Sequence, residues 1–262
     1  MSFTSDVANA TVRDEIVDGK QNVNNGGVTI GNTVVSGGSV NVNSGGTVID
    51  GVVEAGGKMT ISSGGVVSGL SVDMPDSSAI ALNGGTIYDL TYNGLPGAAS
   101  FMQVTGGVID GGIITGGCIQ VGDWAKGDAS AVLKNFTIGV AAGQVADTSV
   151  VRWWYGSAEN LTVDGGNLWL GLNGQDETTY CDVVTLKSGT FRLDGVTDTV
   201  NMTDGLLSFL GKIDVLNQSG GELATYVSTT EDKRWTIGEY NMTGGTGTLQ
   251  YSHVDTMTVT DS

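Results

Sequence analysis

Five Gly-Gly doublets, at positions 26–27, 37–38, 45–46, 56–57 and 64–65, recur at spacings of 11, 8, 11 and 8, a strict period of 19. Apolar residues keep the same period. Val23, Val42 and Ile61 form one series, Val34, Val53 and Val72 another, and Asn25, Ser44 and Ser63 each precede the first glycine of a doublet. A unit this short cannot bury its own apolar face, so it is stable only when copies stack and the series merge into a continuous core. Within the unit, Val40-Asn41-Val42 and Met59-Thr60-Ile61 alternate apolar and polar side chains, which is strand periodicity. The Gly-Gly step supplies positive φ at low steric cost and lets the chain turn sharply. The period therefore predicts an all-β fold, a single-stranded parallel β-helix (a β-solenoid) with irregular loops or excursions.

The pattern continues with less regularity in Ile80 to Gly85, Met102 to Gly107, Leu161 to Gly166, Val200 to Gly205, Val215 to Gly221 and Tyr240 to Gly245. Roughly a dozen coils at about 4.8 Å per coil would make a rod on the order of 60 Å long. Three stretches break the rhythm: Gly122 to Glu159, Leu172 to Asp182 and Tyr226 to Tyr240. Function on solenoids concentrates on such interruptions. The chain is accordingly divided into a lead-in or cap over 1–21, a regular solenoid with 19–22-residue repeats over 22–121, an aromatic excursion or widened rungs over 122–159, and a less regular solenoid over 160–262. Residues Met257 to Ser262 parallel Val200 to Gly205, so a further turn is expected beyond Ser262.

Composition supports this reading and narrows the partners. There are 43 glycines but only 2 prolines, which argues against collagen, and the aliphatic content is too high for a disordered tract. The net charge of −17 is spread from Asp6 to Asp261 as a solvated coat, which disfavours nucleic acid and anionic membrane surfaces. Met1 to Lys20 lacks the apolar core of a secretory signal, and no apolar run is long enough for a membrane helix. Cys118 and Cys181 stand 63 residues apart in no metal-ligand spacing; buried free thiols are expected, and a disulfide stays open.

No constellation of catalytic residues stands out in the sequence. The only histidine, His253, has Asp255 beside it and reads as a surface residue. Asp123 and Asp128 lack the spacing of a calcium loop, and the glycine doublets do not fit the calcium-binding nonapeptide, so no metal and no cofactor is expected. Ice binding would need flat threonine ladders, and only Thr256 to Thr260 hints at one. The cluster Trp153-Trp154-Tyr155, with Trp124 and Arg152, has two readings. The rings plug a widened core, or they stack on sugar faces or anchor a protein partner.

Residues 37–48, Gly-Gly-Ser-Val-Asn-Val-Asn-Ser-Gly-Gly-Thr-Val, resemble the 19-residue repeat of the AIDA-type self-associating autotransporter adhesins of Gram-negative bacteria. The resemblance covers residues 22–72 clearly and the remainder as echoes. It implies a right-handed β-helix passenger, a handedness that agrees with the general rule for parallel crossovers. It also implies export to the bacterial cell surface or secretion, with roles in adhesion, autoaggregation and biofilm growth. By position it implies Ser36, Ser44 and Ser63 as acceptors of sugar. Rows such as Asn24, Asn43 and Ser62 are the expected self-association residues, each contact modest and the sum multivalent. The expected partner is therefore a second copy, or a host or neighbour cell-surface glycan or protein, with no enzymatic activity. The alternatives are a carbohydrate-directed β-helix (binding module or polysaccharide lyase or hydrolase) and a passive stalk.

Overall fold

The protein is seen here as a computed structural model that describes residues 4–73, 79–94, 101–122, 130–140, 149–153, 155–171, 179–225, 235–250 and 252–260. Among them there is no helix, and the strands form a parallel β-solenoid. Each coil contributes to three columns of stacked strands. The first runs through Thr4–Val7, Lys20–Val23, Ser39–Val42 and Lys58–Ser62 into Ile80–Asn93. The second pairs Val12 with Thr29, Thr29 with Val48, and Val48 with Val67. The third pairs Val17 with Val34, Val34 with Val53, and Val53 with Val72.

Alternation decides what is inside. In the first column Val23, Val42, Ile61 and Leu82 stack in register and are fully buried, while Asn22, Asn41 and Thr60 stack beside them facing outward. A one-residue slip would turn every buried residue to solvent, so the pattern fixes the register. Burying each such side chain contributes roughly 1.5–3 kcal/mol against the ordering entropy. The stack begins at Thr4, and residues 4–17 already hold places in it because Val7 and Val17 supply inward positions. Near that end the interior is polar. Asn32 Nδ2 donates to Gln21 Oε1 at 3.2 Å, and Gln21 Nε2 donates to Glu15 Oε2 at 2.6 Å, so the two buried amides are partnered.

The corners follow from backbone sterics. Between the second and third columns, from Asp14 to Asn160, one residue per coil is left-handed: Asp14 (φ 52°), Gly31 (68°), Asp50 (51°), Gly69 (68°), Asp89 (56°), Gly111 (85°), Asn135 (51°) and Asn160 (54°). Only glycine, asparagine and aspartate occur there, the residues that tolerate this region. The Gly-Gly corners are constrained differently. A Cβ on Gly38 would lie 2.0 Å from the Val17 carbonyl oxygen of the coil beneath, so the second glycine permits close stacking.

From residue 79 onward the coil circumference varies while the strand centres stay in register, the shifts falling at the corners, as at Leu82/Asn83 and Val163/Asp164. Side-chain hydrogen bonds between successive coils span 20 residues from Asp73 to Asn93, 25 from Asp110 to Asn135, and 16 from Asn201 to Asn217. Larger side chains fill these coils: Tyr92, Phe136, Phe191, Phe209 and Tyr240 are fully buried. Within the region 122–159, Ala131–Gly139 and Ser149–Trp153 stand in register between Phe101–Val121 below and Gly156–Leu170 above. Cys118 and Cys181 are free, buried thiols.

Candidate functional site

Outward positions of the columns are where this molecule can meet a partner. In the third column Thr137, Thr162 and Thr185 stack in register and are continued by Asn201, Asn217 and Asn241. All six are half-buried, with their backbones locked in the ladder. The row therefore presents hydroxyls and amides at the strand spacing, about 4.8 Å.

Many outward amides are already engaged between coils. Asn43 Nδ2 donates to Asn24 Oδ1 at 2.8 Å, and Asn41 Nδ2 donates to Asn22 Oδ1 at 2.9 Å. Asn217 donates to Asn201 at 2.9 Å and Asn241 to Asn217 at 3.1 Å. Each of these bonds runs from a later coil to an earlier one. Asp6, Asp73 and Asp110 accept from Asn22, Asn93 and Asn135, so acceptor-only carboxylates stand at the base of three rows. An amide in mid-row spends one donor and one acceptor internally and keeps the others for a partner.

The sequence-derived candidates take these places. Ser36, Ser44 and Ser63 are exposed at the tips of Gly-Gly turns, Ser44 and Ser63 on one corner and Ser36 on the other. Asn24 and Asn43 are the hydrogen-bonded pair above, and Ser62 is half-buried at the end of Lys58–Ser62. Trp124 and Trp154 lie outside the described residues, as does the side chain of Trp153, whose backbone pairs with Val121 and Leu170. Tyr155 is half-buried beside Gly122. Arg152 faces outward with its guanidinium carbon 4.7 Å from the centre of the Trp169 ring, a cation–π contact between adjacent coils.

That contact opens a row of unequal side chains. Arg152, Trp169, Arg192, Ser208 and Ala224 occupy one outward position on five successive strands. The parallel row two residues earlier is Val150, Asn167, Thr190, Leu206 and Glu222. Where the first row drops from arginine and tryptophan to serine and alanine, the surface sinks into a groove of about 890 Å³. Trp169 is 37% exposed, whereas Ser208, on the same outward face, is only 6% exposed. Arg192 is held by Asp194, with its Nε 3.0 Å and a terminal nitrogen 2.9 Å from Oδ2.

With the geometry in view, comparison with known proteins narrows the reading. No protein-family model matches the chain, and no curated protein sequence does. Among solved structures, the crystal structure of a hyper-glycosylated TibA55-350 fragment, its glycosylation catalysed by TibC, matches with a TM-score of 0.50 at 15% identity, covering 97% of this chain and 94% of that one. The shared feature is the solenoid. At that identity the likeness speaks for fold, and the side chains must carry the rest.

Electrostatics elsewhere is structural. Tyr180 donates to Asp198, and this bond holds the phenol protonated well above its ordinary range. Lys134 pairs with Glu159 at 2.7 Å on the surface, and that hydrogen bond pushes the ammonium up. His253 Nε2 lies 2.9 Å from Asp255 Oδ1, with both side chains well exposed. Among the described residues no three histidines, cysteines or carboxylates are grouped to hold a metal. Trp169 and Ser208 were missed by sequence reasoning. The signal for Trp169 was the alternation Asn167-Leu168-Trp169-Leu170, whose two leucines are fully buried and so turn the indole outward. Ser208 carried no local signal, because its significance depends on coils 16 residues away.

Proposed function

We propose that this chain is a surface-exposed β-helical adhesin passenger that mediates cell adhesion or autoaggregation through its solenoid face, without an enzymatic step. The observation that carries the reading is the in-register outward row from Thr137 to Asn241. A rigid row of weak hydrogen-bonding groups favours multivalent contact with an equally periodic partner, a second copy in the first instance. The fold match supports the architecture, and the AIDA-type resemblance of residues 37–48 supports the location at a bacterial surface or in secretion. The neighbouring structure is hyper-glycosylated, and the exposed Ser36, Ser44 and Ser63 are the positions at which sugar would be carried here.

The opposing force is the charge of −17. Two such surfaces repel at low ionic strength, so association through the row strengthens as salt screens them. Cells displaying the segment should settle faster than cells with an empty display scaffold, and faster at 0.3 M than at 0.03 M salt, on the order of a threefold change in Debye length. Replacing Thr137, Thr162 and Thr185 by alanine together, which removes the hydroxyls and leaves the charge unchanged, should slow the settling. Equal settling of displaying and empty cells at every salt concentration would defeat the proposal.

A further inference from the structure

We infer that the groove between Trp169 and Glu222 is a binding site for a neutral oligosaccharide. The site is distinct from the third-column row and does not depend on self-association. It exists because one outward row shortens abruptly: Trp169 and Arg192 form an end wall, while Ser208 and Ala224 form a floor. Its volume, about 890 Å³, falls within the range of small-molecule sites, roughly 300–1,000 Å³.

Ser208 supplies the independent sign of a ligand. It lines the groove, is 6% exposed, and its Oγ has no hydrogen-bond partner. A hydroxyl removed from water and left unpaired is costly, and each such group in a folded protein calls for an explanation. A ligand hydroxyl on the floor provides one once the serine turns to a staggered rotamer that brings its Oγ to the groove.

The lining selects the ligand class. The exposed indole of Trp169, with Leu206 and Ala224, offers apolar surface, and Thr190, Ser208 and Glu222 interleave polar groups with it. A pyranose has this same division, a C–H face and a rim of hydroxyls. The Arg192 guanidinium is neutralised by Asp194, and Glu222 adds a negative charge to a chain already at −17. Uronates and sialylated glycans are disfavoured on that ground. A peptide adding as a strand is excluded by the backbone, because Leu206–Phe209 and Glu222–Thr225 are paired on both sides and leave no open edge. The lining spans five strands, on the order of 19 Å along the axis. The row from Val150 to Glu222 follows that whole length past the Trp169 and Arg192 wall, which suits a short linear chain of sugars lying along the row.

The test uses the purified chain and a panel of neutral gluco-, galacto- and manno-oligosaccharides of three to five sugars, followed by calorimetry and by tryptophan fluorescence. At least one is expected to bind. Ala224→Arg, which extends the long side chains across the floor, and Trp169→Ala should each weaken that binding by about tenfold or more, as loss of a central anchor does. Both positions face outward, and thermal melts unchanged from the parent would show that the loss is not unfolding. Settling of displaying cells should be unaffected by Ala224→Arg, which separates this site from the adhesive row. The inference is overturned if no neutral glycan binds, if binding survives in well-folded Ala224→Arg, or if acidic glycans bind more tightly than their neutral counterparts.

Discussion

Residues 4–73 and the described residues of 79–259 build the same three columns by different means. The first region repeats at 19 residues between Asn22 and Asn41 and again between Asn24 and Asn43, and its interior is mostly valine and isoleucine. The second takes 20 to 25 residues per coil in places and 16 in others, and its interior holds Tyr92, Phe136, Phe191, Phe209 and Tyr240. In the first, regularity comes from identical small side chains and repeated glycine turns. In the second, bulky rings fill a cross-section that changes from coil to coil, and a groove with a mixed aromatic and polar lining lies there. Uniform coils give a smooth surface; a site needs the row to change height.

The comparison can be broken most directly in the core. Phe136→Ala should cost about 3–5 kcal/mol and Val42→Ala about 1–3 kcal/mol, as the removed volumes dictate. Because coils touch only their neighbours, hydrogen exchange should localise each loss to adjacent coils. Equal costs, or loss of protection throughout the chain from either change, would show that the two regions do not differ as described.

Next in size is a contrast within one turn. Gly38→Ala places a Cβ 2.0 Å from the Val17 carbonyl oxygen and should cost about 2–4 kcal/mol, because the backbone must move. Gly37→Ala has room, its Cβ meeting nothing nearer than 3.9 Å, but must hold a φ of 85°, a cost of about 1–2 kcal/mol. Denaturation midpoints of the two variants would rank them, and a reversed order would mean that torsion rather than stacking distance governs the turn.

Alkali separates the regions more gently. Burial pushes the Cys181 thiol up to about 12 from 9.0 and raises Cys118 as well, and both lie in the second region. In the unfolded chain the thiols ionise near pH 9, whereas in the fold they stay protonated, so the unfolded state binds fewer protons above that pH. Stability is thus intact below pH 9 and falls above it, by up to about 1.4 kcal/mol per pH unit for each thiol. Cys181→Ala should flatten the decline measured by denaturation at pH 8, 9.5 and 11. An unchanged slope would remove this thiol as its source.

The smallest effect expected is that of Asn41→Ala, which deletes a link of an outward row and should cost about 0.5–1.5 kcal/mol. Asn217→Ala should cost about twice as much, since Asn217 donates to Asn201 at 2.9 Å and accepts from Asn241 at 3.1 Å, whereas Asn41 donates one such bond. A difference much larger than that would mean that row strength follows coil circumference.

Much of the fold was legible because residues 22–72 repeat a short unit without error, and Val23, Val42 and Ile61 do stack, as do Val34, Val53 and Val72. Legibility faded afterwards for a physical reason. Gly-Gly closes two of the three corners, so an apolar-x-apolar segment before a doublet does not reveal its column. Met102 to Gly107 continues the first column from Leu82, whereas Leu161 to Gly166 belongs to the third. The candidate site was less legible still. Arg152 was identified from its aromatic sequence neighbours, but its ring partner is Trp169, one coil later. The groove depends on the relative length of Arg192, Ser208 and Ala224, a relation visible only once the coils are aligned.

Coil circumference varies while strand register persists, and this makes the outside of the molecule a ruler. Height along the axis is graduated in backbone spacings of about 4.8 Å, whatever the number of residues between marks. Asn201 and Asn217 are one graduation apart at a sequence separation of 16, and so are Asn217 and Asn241 at a separation of 24. Lengthening a corner therefore changes the numbering of everything above it and the height of nothing. Any group carried on a row, whether hydroxyl, amide or attached sugar, keeps its distance from the others through such insertions.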